Sequence, residues 1–403
     1  LLHDWYQTQV GALDPRARKP EFDEALMGEL IRFVSSHEVG HTLGLRHNMG
    51  ASSATPVEKL RDKAWVEKHG HTSSIMDYAR FNYVAQPEDH IGEAGIFPRV
   101  NDYDEWAIRW GYTYYPDAKS ELEERATLNR LTVATITDNP RLWFGGEGRD
   151  NNPYALTEDL SDDVMKASDY GLLNLRRVVK ALPEWTYEAG NLGDNLTRGY
   201  DAAVGQFRRY VGHVCRQIGG VKRVVKSVEQ AGDVFSYDTR ERQQRALAWL
   251  DRRVLTEPTW ITAPAYGARI GMPQLRVRPV AASAVDYLTS ATMFDRLATN
   301  AAQQPAAQAY SPATYADDLA RVLFRETLTG TKLSAWRMYV QKRAVNNLLE
   351  AYKSDTNGDG HAYVAALLAK LRTRFDAARS TDAGTRAHYT DLARRIRLAL
   401  EGK

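Results

Sequence analysis

Between residues 23 and 43 the apolar positions Leu26, Leu30, Phe33 and Val34 recur at helical spacing and lead into His37 and His41. Asp23 stands where an N-cap carboxylate would accept from the first free amides. Gly44 stands where the chain can leave a helix in the left-handed conformation. The pattern predicts a helix of about five turns over 23–43. Residues 11–22, broken by Pro15 and Pro20, read as an irregular lead-in, and the polar stretch 50–74 reads as a surface excursion. Tyr103, Trp106, Ile108 and Trp110 mark a short helix that Gly111 and Pro116 end. From 118 onward amphipathic periods dominate, over 118–132, 161–182, 200–230, 239–254, 282–300, 314–328, 332–354, 361–379 and 382–401. Two Pro/Gly-rich interruptions, 138–157 and 256–280, divide them. The expected fold is mainly α, with a region 1–117 and a helical region 118–403 that can be divided near 256–280.

Composition narrows the chemistry. A chain of 403 residues predicts two or three domains. A net charge of +2 gives no electrostatic case for nucleic acid as a partner. No apolar run approaches the ~18 residues of a membrane span. The single cysteine, Cys215, excludes an internal disulfide and a cysteine-based zinc site, so any metal must be held by histidines and carboxylates. The opening "LLHDWYQTQV" has neither an initiator Met nor a signal-peptide pattern, which leads us to expect a processed or truncated piece of a longer protein.

The stretch "SSHEVGHTLGLRHNMG", residues 35–50, holds three of the ten histidines. Catalytic zinc takes three protein ligands and leaves one position open. His37 and His41 are four apart, so a helix presents both imidazoles on one face. Glu38, turned about 100° from His37, would lie beside the metal and act as general base toward a zinc-bound water. On a continuous helix His47 would point about 240° away from His41. A break at Gly44 lets the chain return, so His-Glu-x-x-His-x-x-Gly-x-x-His supplies a ligand pair, a hinge and a third ligand. The alternative is a helix end carrying surface histidines.

Downstream, "SIMDY" at 74–78 places Met76 in a tight turn; taken alone, Met76 reads as a core residue. Together the two motifs resemble the metzincin class of zinc endopeptidases, whose Met-turn lies beneath three histidines. "FVSSHEVGHTLGLRHNMGAS", "SIMDYARFNYVAQPED" and "YDEWAIRWGY" resemble, more narrowly, the large bacterial metzincin-like proteases with a long helical C-terminal region. The resemblance covers about residues 24–112. It implies one catalytic zinc ion on His37, His41 and His47, Glu38 as base, and Met76 under the metal. Tyr78 matches a tyrosine that approaches the zinc and the oxyanion in some members, or is structural. It also implies a peptide or protein substrate, upstream domains of the same precursor, and an extracytoplasmic location. Region 1–117 would then be the C-terminal part of a metzincin-like zinc domain whose upstream sheet is largely missing, since about 22 residues cannot supply several strands. Asn48 departs from the acidic residue that several metzincin groups carry there.

Other candidates carry less. "DTNGDGH", 355–361, begins like a calcium loop at Asp355, Asn357, Asp359 and Gly360, but Ala366 stands where a bidentate Glu is needed, so a capped interhelical turn is the better reading and Ca2+ the lesser one. His69 and His71 read as surface residues, and Trp106 and Trp110 as core. The reading is a zinc metalloendopeptidase. The alternative is a zinc-containing helical scaffold without peptidase activity of its own.

Overall fold

In the computed structural model, which describes residues 2–137, 139–147, 152–354 and 357–402, the lead-in 11–22 is irregular as expected, with one 3-10 turn at Pro15–Ala17, and a helix precedes it. Helix α1 (Leu2–Val10) is followed by α2 (Glu24–Thr42), α3 (Lys63–His69), α4 (Glu93–Ile96), α5 (Asp102–Tyr112), α6 (Glu121–Ile136), α7 (Val164–Trp185) and α8 (Asp194–Cys215). The chain divides into two compact units. The first takes the chain through His213 together with Val221–Ser236 and Pro264–Gly271. The division therefore does not fall at 117/118, because α7 packs into the same core as α1 and α2. Tyr6 of α1 is fully buried and meets Phe81 edge-on at 4.9 Å, and Phe33 of α2 meets the same ring at 5.8 Å. Asn174 of α7 donates to the carbonyls of Tyr83 and Ala85 at 3.0 and 2.7 Å.

The polar stretch 50–74 is largely interior, against the expectation of a surface excursion. Ser52, Thr55, His71, Ser73 and Ser74 are fully buried. Side chains supply the hydrogen bonds that regular elements would otherwise provide. Asp77 accepts from the Ser52 amide at 2.8 Å, and Asn82 donates to the Leu60 and Gly95 carbonyls at 2.9 and 3.0 Å. Asn101 donates to the His69 and Thr72 carbonyls at 2.7 and 2.8 Å.

Helix α8 ends at Cys215, not near 230. Gly219 turns the chain at φ +69°, and β1 (Val221–Arg223) pairs with β2 (Phe235–Tyr237). This two-stranded sheet is the only one among the described residues.

Two buried histidines in this unit set a pH dependence. Burial pushes His71 and His213 down to about 4, each ring nitrogen Nε2 facing a carbonyl, of Arg80 at 3.3 Å and Thr157 at 2.9 Å. Between about pH 6.5 and 4 the unfolded chain binds protons that these rings refuse in the folded state, so their contribution is lost as pH falls. Buried Asp77 and Asp104, pushed up to about 7 and about 6, act in the opposite sense, which makes a variant the cleaner test. His213→Gln keeps an N–H for the Thr157 carbonyl and removes the titration. In urea unfolding it should lose less stability than wild type on acidification from 6.5, by up to about 1.4 kcal/mol per pH unit.

The second unit comprises Val214–Gly220, Tyr237–Ala263 and Met272–Lys403. It carries α9 (Arg240–Leu250), a π-helical turn over Asp251–Leu255, and α10 (Thr259–Thr262). After α11 (Gly267–Ile270), which belongs to the first unit, come α12 (Pro273–Leu288), α13 (Ala291–Ala302), α14 (Pro312–Phe324), α15 (Glu326–Thr329), α16 (Ala335–Ser354), α17 (His361–Ala377) and α18 (Ala383–Leu400). Helix α12 begins inside the expected interruption 256–280, with Pro273 in its first turn, where a missing N–H is harmless.

A buried ion pair ties this unit together. Arg337 donates from Nε to Glu326 at 2.6 Å and also serves the carbonyls of Leu255, Val322 and Leu323 at 3.0, 3.0 and 2.8 Å. Arg337→Met leaves a buried carboxylate with one hydrogen bond, from Gln341, and the Arg325 guanidinium 3.7 Å away. A loss of about 3–5 kcal/mol is expected, read as a fall in Tm of the second unit.

Candidate metal centre

The ligand pair stands on α2, which begins and ends as its sequence dictates. Asp23 accepts from the Leu26 amide at 2.9 Å, and Leu26, Leu30, Phe33, His37 and Gly40 form the buried stripe. The helix stops at Thr42, and Gly44 takes φ +82°, a conformation that costs an L side chain about 1–2 kcal/mol. The turn brings His47 back, with its ring centroid 4.6 Å from His41 and 5.3 Å from His37. One nitrogen from each of the three rings lies within 4.8 Å of the others.

The hydrogen bonds decide which nitrogens face inward. His37 Nδ1 lies 2.7 Å from the Ile75 carbonyl, and His41 Nδ1 lies 2.9 Å from the Leu45 carbonyl. A carbonyl only accepts, so each Nδ1 carries the proton and each Nε2 keeps its lone pair. His37 Nε2 is buried with no hydrogen-bond partner. His41 Nε2 lies 3.1 Å from His47 Nε2, a spacing at which a proton or a cation must offset two facing lone pairs. Three imidazole donors, two of them oriented by carbonyls, match the donor set of a catalytic zinc ion. Burial holds His37 and His47 below the usual imidazole range, favouring the neutral, ligating form.

Glu38 is exposed on α2, near enough for its charge to act on both His37 and His47. Met76 is fully buried under the ligand turn. A Cβ at Gly40 would fall 2.3 Å from its Sδ, so the glycine makes room for the thioether. Gly40→Ala is expected to cost about 1–3 kcal/mol through overpacking and to weaken zinc binding, checked by thermal unfolding and metal titration. The half-buried Tyr78 ring lies 4.6 Å from His47 and 5.2 Å from His37. The structure thus brings His37, His41 and His47 together, with the Tyr78 ring against two of them, Met76 against Gly40, Gly44 at the turn and Glu38 exposed on the same helix.

Several supporting residues had no signal in the ligand spacing. Asp104, at the start of α5, accepts from Ser74 Oγ at 2.6 Å, the Ile75 amide at 2.8 Å and the Asn101 amide at 3.0 Å. It fixes the residue whose carbonyl orients His37. Burial pushes Asp104 up to about 6, with those donors pulling the other way. The Asn-x-x-Asp capping box of residues 101–104 was the signal that could have found it. Asn48 is fully buried: its amide donates to the Met76 carbonyl at 3.0 Å, while its side chain donates to the Trp143 carbonyl at 2.9 Å and accepts from the Gly145 amide at 2.8 Å. An amide side chain can do both, which a carboxylate cannot. Arg80, at φ +58°, stacks 4.6 Å over Tyr78 and 4.0 Å over Trp5, with Glu158 3.6 Å away.

Other expectations fare differently. His71 is buried and His69 half-buried, so neither is a surface histidine. Trp110 is 40% exposed rather than core. Asp355 of the calcium-like turn lies outside the described residues. Gly360 there donates to Asp295 at 2.6 Å and begins α17. Among the described residues, the three histidines are the one cluster of three or more such side chains placed to hold a metal ion.

A sequence profile of the family described as Met-zincin matches residues 19–331. No curated protein and no solved structure matches the chain.

Proposed function

We propose that this chain, which belongs to the Met-zincin family, is a zinc metallopeptidase that hydrolyses peptide bonds at the His37–His41–His47 site. The observation that carries the reading is the convergence of three imidazole nitrogens within 4.8 Å, beside an exposed Glu38. Zinc bound there supplies Lewis acidity, polarising a carbonyl and acidifying water near neutral pH. The chain's own residues do the rest. The Ile75 and Leu45 carbonyls hold His37 and His41 in the tautomer that turns Nε2 inward. The Glu38 carboxylate takes the proton of the attacking water and returns it to the leaving amine nitrogen. The Tyr78 hydroxyl donates to the oxygen on which negative charge develops. Met76 closes the floor and keeps water from the far side of the rings.

The finer resemblance, to large bacterial metzincin-like proteases, carries two further elements of the reading. Ile31 and Val39 on the outward face of α2 are 55% and 54% exposed, which suits cover by a substrate-aligning sheet from another part of the same precursor. Action outside the cytoplasm belongs to the same reading. No helix among the described residues is long and apolar enough to cross a membrane.

The test is cleavage of a denatured protein by zinc-loaded chain, with fragments mapped by mass spectrometry. Cleavage that chelation abolishes and zinc restores supports the reading. An inert zinc-loaded chain, also inert when extended upstream, favours the scaffold alternative.

A further inference from the structure

We infer that a cavity of the second unit binds a compact polyphosphate, either free or carried on a multiply phosphorylated headgroup. The cavity, of about 600 Å³, lies between the end of α17, the turn after it and one face of α18. Its size falls within the range of small-molecule sites. Arg379, Arg386, Arg394 and Arg397 line it, and against these four guanidinium groups the lining sets one carboxylate, Asp376. The whole chain carries a net charge of only +2, so the positive charge is concentrated locally. Two stretches that read separately as basic helix faces, "KLRTRFDAAR" (370–379) and "LARRIRLALEGK" (392–403), thus meet at one concavity.

The arginines are anchored as well as exposed. Arg379 donates from Nη1 to the carbonyls of Asp376 and Ala378 at 3.1 and 3.2 Å. Arg386 donates from Nη1 to those of Ser380 and Thr381 at 3.0 and 2.7 Å. Each planar fork is held at one corner, which leaves Nε and Nη2 to meet phosphate oxygens in pairs. The Arg397 side chain makes no hydrogen bond or ion pair among the described residues. Elsewhere in this unit exposed cations meet carboxylates, as Arg343 does Asp286 and Lys370 does Asp317, both at 2.6 Å. On α18 the lining residues Arg386, Thr390, Ala393 and Arg397 follow at steps of four, three and four. Those steps keep them within about 60° of one another around the axis. Arg386 and Arg397 stand about 16 Å apart along the helix, which favours an anion with charge on several centres over a single phosphate. A polyphosphate brings several charges into a few hundred Å³, whereas an acidic peptide spreads one charge per side chain. The Ser380, Thr381 and Thr390 hydroxyls of the lining add neutral donors for phosphoryl oxygens.

The test is calorimetric titration of the full chain with inorganic triphosphate, pyrophosphate and orthophosphate, at about 150 mM ionic strength to screen distant charges. Triphosphate should bind at one equivalent and most tightly, orthophosphate least, both on zinc-loaded chain and on chain freed of zinc by dialysis. Arg397→Gln should weaken triphosphate about tenfold or more, the order lost with one charge-assisted contact, with Tm unchanged. If that variant fails to fold, Arg394→Gln carries the test, since its protein partner is Asp391 on the same helix at 3.2 Å. Arg372→Gln, the same loss of charge outside the lining, should leave binding unchanged. Phosphatidylcholine vesicles with and without phosphatidylinositol bisphosphate separate the two sources. Sedimentation with the phosphorylated vesicles, reversed by soluble triphosphate, identifies a headgroup. Triphosphate binding without sedimentation identifies a free polyphosphate, and either result supports the inference. Absence of triphosphate binding, equal affinity for orthophosphate, or tighter binding of hexaglutamate overturns it. So does binding that needs zinc, which belongs to the three histidines, or binding that neither cavity variant weakens.

Discussion

Glu38→Gln is expected to hold zinc and unfold at the wild-type temperature while kcat falls about 10²–10⁴-fold, the range for a lost proton acceptor. The substitution keeps size and helix propensity and removes only the basic oxygen pair. Glu38 is exposed on α2 and is absent from the metal-holding cluster, so the variant keeps the packing of the helix and all three ligands. A wild type that cleaves beside an inert, zinc-loaded variant places the proton acceptor at residue 38. Full activity in the variant moves it elsewhere.

His47→Ala is expected to weaken zinc binding by more than the 10–100-fold typical of losing an outer-shell partner, because it removes a ligand outright. Only two imidazoles would remain, on one helix face. The contrast with Gly44→Ala isolates the hinge from the ligand. No atom lies within 4 Å of a Cβ at Gly44, so steric room is present and only the φ of +82° resists. That variant should lose about 1–2 kcal/mol of stability and retain zinc more tightly than His47→Ala. Competition with a chromophoric chelator measures both affinities.

What could be read from the sequence was what is local. Helix 23–43 is observed as 24–42, with Asp23 capping and Gly44 in the left-handed region, because a cap, an apolar stripe and a hinge all lie within one short stretch. The three ligands follow from the same spacing. What was not legible depends on partners distant in sequence. Ser52, Thr72 and Asp77 look like a solvated stretch until each is seen to satisfy another inside the core. The valines at 221, 224, 225 and 228 are spaced as on a helix, yet Val225 and Val228 are 67% and 99% exposed and the chain there turns into a hairpin. Gly219 and Gly220 were the local warning. Asn48 could be seen to depart from the metzincin pattern, but not that its backbone N–H meets the Met-turn while its side chain holds residues 143 and 145.

The N-terminal helix shows the same limit. Its polar positions Gln7, Thr8 and Gln9 are buried, and Gln9 accepts from the Phe81 amide at 3.2 Å. A period search on hydrophobicity cannot score such a face, because its burial rests on hydrogen bonds to a segment some seventy positions later. These contacts hold the chain that follows the Met-turn.

The central claim is that His37, His41 and His47 together bind one catalytic zinc ion. The most direct measurement is metal content with X-ray absorption at the zinc edge, on chain purified without chelator. One zinc per chain, with three imidazole nitrogens at about 2.0–2.1 Å and a further light-atom ligand, is the predicted result. Zinc well below one equivalent after dialysis against zinc, or a first shell with fewer than three imidazoles, would contradict the account.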